Sequence, residues 1–200
     1  MAKKAKVWDG STWQDLVNAT QDLTPYSTTA QMNTAIAAAQ GLTLISSTTI
    51  GSAVASVTIS NCFNSTYDIY ELVVSNVTIT STYFKAQLRT GSTTSTSGYA
   101  ATELFANISN STVGNDNNFS YSGAGWQMGL GSTNLGSGKA TIINPYLARY
   151  STFNQLNAKT TEIGYAGGIH SVSTSYDQLV LTPNSGTWTG GTISIYGYKK

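Results

Sequence analysis

Residues 83–89 read YFKAQLR, with Phe84, Ala86 and Leu88 alternating against Lys85, Gln87 and Arg89. Successive side chains of a β-strand point to opposite faces, so this alternation describes a strand with one apolar face and one polar face. Residues 52–60, SAVASVTIS, repeat the pattern with Ala53, Ala55, Val57 and Ile59. Residues 67–74, YDIYELVV, are apolar on both faces and belong in a sheet interior. WQMGL (126–130), KATII (139–143), DQLVL (177–181) and GTISIYGY (191–198) supply further strands. The intervening TGSTTSTSG (90–98) and SNSTVGNDNN (109–118) are built from turn-forming residues and read as loops. Many short strands joined in this way predict a mainly β protein whose residues 42–200 form an antiparallel β-sandwich, jelly-roll-like in type.

Composition fits that architecture. Charged residues make up 10% of the 200, against about 25% in an average domain, while hydrophobic residues reach 40%. The formal net charge is +1, and Lys3, Lys4, Lys6, Lys199 and Lys200 sit at the two ends. No basic face is available to follow a phosphate backbone, so nucleic acid is not an expected partner. No apolar run is long enough to span a bilayer, and MAKKAKVW lacks the apolar stretch of a signal peptide, so synthesis in the cytoplasm without membrane insertion is expected. One cysteine, Cys62, excludes an intrachain disulfide and reads as a small buried apolar residue. One histidine, His170, excludes the commoner His-rich metal clusters.

The first 41 residues differ in character. KVWDGSTWQDL (6–16) places Asp9-Gly10 between two tryptophans, and Asp-Gly favours a tight hairpin turn. A two-residue turn would set Trp8 opposite Ser11; the arrangement expected is instead a four-residue loop from Asp9 to Thr12, which sets Trp8 opposite Trp13 and gives one apolar patch. The rings then either dock on a partner or pack on this chain's own body. Beyond Pro25, Thr28 and Gln31 have the spacing of a capping box, and Ala-rich sequence follows up to Gly41, predicting a helix from about Thr29 to Gln40. Met32, Ala35, Ile36 and Ala39 share one stripe of it. That stripe either packs on the chain's own sheet or pairs with identical helices in a short coiled coil. The organisation expected is therefore a segment 1–23, a helical neck 24–41 and a β domain 42–200.

Chemistry is sparse in this sequence. Asp68 and Glu71 lie three apart on an extended strand and face opposite ways, and Glu103, Glu162 and Asp177 are scattered. His170 has no nucleophile-elbow sequence beside it and reads as a loop or strand-edge residue. The glycine-rich stretch 125–138 lacks the lysine and spacing of a phosphate-binding loop. No catalytic residue, metal ligand or cofactor is expected, and the chain reads as a non-enzyme. Tyr99, Trp126 and Trp188 are the aromatic candidates for contact with a receptor or a sugar.

Four stretches bring a family into view: STYDIYELVVSNVTIT (65–80), FKAQLRTGSTTSTSGYA (84–100), ATIINPYLARYSTFNQL (140–156) and TSYDQLVLTPNSGTWTGGTISIYGYKK (174–200). They resemble the C-terminal β domain of tailed-bacteriophage virion proteins of the tail-fibre, head-fibre and minor structural kind. KVWDGSTWQDL and STTAQMNTAIAAA similarly resemble the particle-attachment segment and helical neck that precede such domains. The resemblance implies a homotrimer located in the virion, held to other virion proteins through Val7, Trp8, Trp13 and Leu16, and self-associated through Met32, Ala35, Ile36 and Ala39. It also implies host-surface glycan as a candidate contact for Tyr99, Trp126 and Trp188. With no long shaft, the object expected is a short spike, fibre or decoration. The alternative is a carbohydrate-binding module without a virion role, with Trp126 or Trp188 stacking on a sugar; a polysaccharide-cleaving enzyme ranks third.

Overall fold

The computed structural model describes residues 6–15, 28–39, 41–81, 83–116, 123–128, 136–159 and 162–200. The chain divides into two compact units between Gln40 and Gly41. In the first unit, β1 (Lys6–Trp8) pairs antiparallel with β2 (Trp13–Asp15), and α1 spans Thr29–Ala39. The predicted last helical residue, Gln40, lies outside the described residues.

The second unit is an antiparallel sandwich of two sheets. Its strands are β3 (Leu42–Ile50), β4 (Val57–Ile59), β5 (Tyr67–Ile79), β6 (Phe84–Thr90), β7 (Thr93–Thr94), β8 (Tyr99–Asn107), β9 (Thr112–Asp116), β10 (Trp126–Met128), β11 (Gly136–Ile143), β12 (Ser151–Lys159), β13 (Glu162–His170), β14 (Gln178–Pro183) and β15 (Trp188–Lys199). Eight strands form one sheet in the order β3-β15-β5-β11-β12-β13-β8-β9, and five form the other, β10-β6-β14-β4 with β7 beside β6. The chain steps repeatedly from one sheet to the other, as in β3 to β4 to β5 and β13 to β14 to β15, so both sheets are tied together along the whole sequence.

The alternation that predicted β6 sets its placement: Phe84, Ala86 and Leu88 are buried in the core, facing the other sheet. Beside them in register lie Leu181 and Leu179 of β14, and Val57 and Ile59 of β4 follow. From the eight-stranded sheet, Tyr70, Leu72 and Val74 of β5 and Ile193 and Ile195 of β15 complete the layer, all fully buried. Burying such side chains contributes about 1.5–3 kcal/mol each relative to exposure, which is what makes the inward parity of each strand non-negotiable. At Gly191 the φ of +109° lies where only glycine rests easily, and a Cβ there would stand 2.6 Å from the Val77 Cα. This glycine sits where the β15–β5 register shifts, and it lets the two backbones close together.

Both predicted loops contain a strand, the two-residue β7 within 90–98 and the longer β9 within 109–118. Thr112–Asp116, within the stretch read as a loop, pairs with β8 from Glu103↔Asp116 to Asn107↔Thr112 and forms an edge of the large sheet. Its hairpin turns through Ser111 at φ 55° and through Asn110, whose side-chain oxygen accepts hydrogen bonds from the Thr112 amide and hydroxyl. A polar edge strand needs no apolar alternation, because one of its sides is unpaired and its outward face meets water.

Candidate functional site

The N-terminal hairpin takes the four-residue loop. Trp8 pairs with Trp13, one step beyond the hydrogen bond from the Asp9 amide to the Thr12 carbonyl (3.1 Å). Asp9 organises the turn: its Oδ1 accepts from the amides of Ser11 (2.8 Å) and Thr12 (2.7 Å), and its Oδ2 accepts from the Thr12 hydroxyl (3.0 Å). Gly10 supplies the positive φ of 99° that the loop requires. The indoles meet with centroids 5.5 Å apart and planes at 55°, and they stay 50% and 62% exposed. Val7 is also exposed, while Leu16 lies outside the described residues. Two large apolar rings held side by side in water on a turn locked by its own aspartate form a small, pre-shaped apolar surface.

Helix α1 opens on a reciprocal capping box. The Gln31 amide donates to the Thr28 hydroxyl (3.1 Å), and the Thr28 amide donates to the Gln31 side-chain oxygen (2.7 Å). Met32 and Ala35 are exposed; nothing of the Ile36 and Ala39 side chains belongs to the described structure.

The three aromatic residues expected at a receptor surface are core residues. Tyr99 is buried, its hydroxyl accepting from the Leu88 amide (2.7 Å) and donating to the Ser95 carbonyl (3.3 Å). Burial pushes that phenol well above its ordinary range. Trp126 is fully buried, stacks on Phe153 with centroids 5.0 Å apart and planes 9° apart, and donates its indole N–H to the Ile169 carbonyl (3.1 Å). Trp188 is fully buried against Phe84, with centroids 4.8 Å apart. The physical reason is parity: Trp126 and Trp188 begin strands on the inward side, and each ring is large enough to bridge the gap between two sheets about 10 Å apart.

His170 is likewise interior and not a loop or edge residue. It ends β13, is fully buried, and lies between Tyr99 (4.3 Å), Tyr176 (5.3 Å) and Trp126 (6.3 Å), with Nε2 2.9 Å from the Ser95 hydroxyl. Desolvation lowers its pKa, partly offset by the backbone of Ser97 and Val172, so the neutral ring is favoured. Cys62 is buried as expected, and burial pushes its thiol up to about 12, which removes it as a nucleophile. Asp68 and Glu71 take opposite faces of β5: Asp68 pairs with Lys200 (2.9 Å), and Glu71 receives Lys139 (3.4 Å) and the Tyr198 hydroxyl (2.9 Å). Glu103 is buried on the inward face, where Asn157 donates to it at 3.1 Å. Among the described residues, no three of His, Cys, Asp and Glu gather to hold a metal, and no helix is long and apolar enough to cross a membrane.

Sequence reasoning missed the outward face of the large sheet. Register places Leu156, Tyr165 and Leu104 side by side in one row, and Ile163, Ala106 and Val113 in the next. Leu104, Val113, Leu156, Ile163 and Tyr165 are 47% to 80% exposed and line a shallow groove of about 210 Å³. The signal was present in TELFAN, where Leu104, Phe105 and Ala106 are apolar on both parities although the strand lies next to an edge. No family model and no curated protein matches the chain.

Proposed function

We propose that this chain is a structural component of a tailed-phage particle: a short, trimeric spike, fibre or decoration, non-enzymatic, fixed to other virion proteins by its N-terminal hairpin. The observation that carries this reading is the Trp8–Trp13 pair, two exposed indoles held 5.5 Å apart by a turn that hydrogen-bonds to itself. An exposed ring pair is costly in a chain with 10% charged residues and is relieved when a partner covers it. Covering both could contribute several kcal/mol, at roughly 25 cal/mol per Å² and 150–250 Å² per aromatic side chain. The capped helix that follows, with Met32 and Ala35 exposed, supports a neck at which copies meet. The hydroxyl-rich, weakly charged β domain suits a particle exposed to changing salt, since surface ion pairs contribute little there. The resemblance of roughly residues 42–200 to virion β domains supports a location in the particle.

The carbohydrate-module alternative rested on Trp126 and Trp188 at the surface, and both are in the core. Replacing Trp8 and Trp13 together by alanine tests the proposal in particle-producing cells. The expected result is a folded β domain, unchanged in thermal stability, that no longer co-purifies with particles. A double variant that enters particles as the parent does refutes the anchor.

A further inference from the structure

Three polar side chains lie on the inward face of the eight-stranded sheet, although one row away Ile142 and Phe153 keep that face apolar. Gln155 and Asn157 of β12 are 2% and 1% exposed, and Glu103 of β8 is 6% exposed. Register surrounds them with small residues: Ala140 and Gly138 of β11 on one side of Gln155 and Asn157, Ala166 and Gly164 of β13 on the other. Glu103 follows Ala166 in the row of Gln155. Four neighbours that carry at most a methyl group give the polar heads room to converge. A Cβ on Gly164 would stand 2.5 Å from Glu103 Oε1 and 3.0 Å from Asn157 Oδ1. The Asn157 amide donates to Glu103 Oε1 (3.1 Å), yet its own Oδ1 and both amide atoms of Gln155 are buried without a protein hydrogen bond.

We propose that Glu103, Gln155 and Asn157 bind a hard cation of calcium size inside the sandwich. Buried polar atoms are rarely left unpaired, because each has given up water and gained nothing for it. The atoms gathered at this place are chiefly oxygens: the Glu103 carboxylate, Asn157 Oδ1 and Gln155 Oε1. Oxygen ligands without sulfur or imidazole suit calcium or magnesium and not zinc or copper. Calcium takes about six to eight oxygens at flexible angles, side-chain amide and backbone carbonyls among them, so these three side chains supply part of its shell. Magnesium demands a smaller, near-ideal octahedron. Here β8 and β12 are separated by the whole of β13, and ligands drawn from both of its sides favour the larger ion. The ion's charge would face the Glu103 carboxylate in a medium of low dielectric, where the attraction is strong. A single carboxylate with two carboxamides also explains why no cluster of acidic or imidazole groups marks the place. An ion held this deep is taken up as the sheet closes, so its binding reads out as folding stability.

The test is thermal unfolding of the full chain, stripped with a chelator and followed by far-ultraviolet circular dichroism. Millimolar calcium chloride, millimolar magnesium chloride and chelator alone are compared, with ionic strength held equal by sodium chloride. Calcium is expected to raise the melting temperature by about 5 °C or more, the shift produced by a ligand at roughly 100 times its dissociation constant on a domain of this size. Magnesium is expected to raise it by less. Glu103→Gln keeps the shape and removes the charge, and Gln155→Leu removes the amide; each should abolish the calcium shift. Where Glu103→Gln fails to fold, Gln155→Leu carries the comparison, and the calcium dependence of the parent stands as a test by itself. A parent that melts at the same temperature in calcium and in chelator overturns the proposal and leaves the cluster to interior water only. An equal shift from magnesium also overturns it, as does a calcium shift that survives in a folded variant, since either places the ion on carboxylates elsewhere.

Discussion

Trp126→Ala separates a core tryptophan from a receptor-binding one. The ring is fully buried, stacked on Phe153, edge-on to Tyr99 at 5.3 Å, and hydrogen-bonded to the Ile169 carbonyl. Truncating a buried Phe or Trp to alanine costs about 3–5 kcal/mol through lost transfer energy and the cavity left behind. The orphaned Ile169 carbonyl adds about 1–3 kcal/mol if water does not reach it. A loss near 5 kcal/mol is therefore expected, a large fraction of the 5–15 kcal/mol that a whole domain holds. Trp126→Phe keeps a stacking ring but gives up the N–H and part of the volume, so about 2 kcal/mol is expected. Urea unfolding followed by far-ultraviolet circular dichroism, at matched protein concentration, reads both. A Trp126→Ala chain within 1 kcal/mol of the parent would refute the reasoning, since no inward-facing indole with these contacts can be so cheaply lost.

Further outcomes follow from the same contacts. Because His170 is held neutral by burial, its folded pKa lies below the 6.5 of the free side chain, and the unfolded chain takes up the proton first. Its contribution is fully present above about pH 6.5 and is lost as pH falls from there toward the depressed folded value, by at most about 1.4 kcal/mol per unit. His170→Phe should flatten the stability profile between pH 7 and about 5.5, and an unaltered slope would remove the histidine from the account. Gly191→Ala forces a side chain onto a φ of +109° and into Val77, and should cost about 2 kcal/mol or more in urea titration; a neutral result would show that the β15–β5 bulge relaxes. Thr28→Ala removes the hydroxyl that caps α1 and should weaken the helix by about 0.5–2 kcal/mol, read as faster amide exchange over Thr29–Ala39.

The sandwich was legible because its evidence is local. Phe84, Ala86 and Leu88 alternate against charged and polar neighbours, and that parity alone assigns the inward side. The capping box was legible for the same reason, as Thr28 and Gln31 act three residues apart. The four-residue loop of the hairpin was legible too, and Asp9 holds it by accepting from the amides of Ser11 and Thr12. The fates of Trp126, Trp188 and His170 were not legible, because burial depends on which strand of the opposite sheet lies above them, a contact between residues distant in sequence. The outward apolar rows were missed because Leu156, Tyr165 and Leu104 become neighbours only across three strands, β12, β13 and β8. Edge strand β9 was missed because polar residues at an edge carry no periodic signal.

The central claim is that this chain is built into a particle, and the protein content of intact virions tests it most directly. Particles from cells that make this chain, purified by density gradient and quantified by mass spectrometry against a major capsid protein, are predicted to contain the chain in a fixed copy number that is a multiple of three, and to lack it when Trp8 and Trp13 are both alanine. Finding the chain only in the soluble fraction, with particles that are complete and infectious without it, would contradict the account.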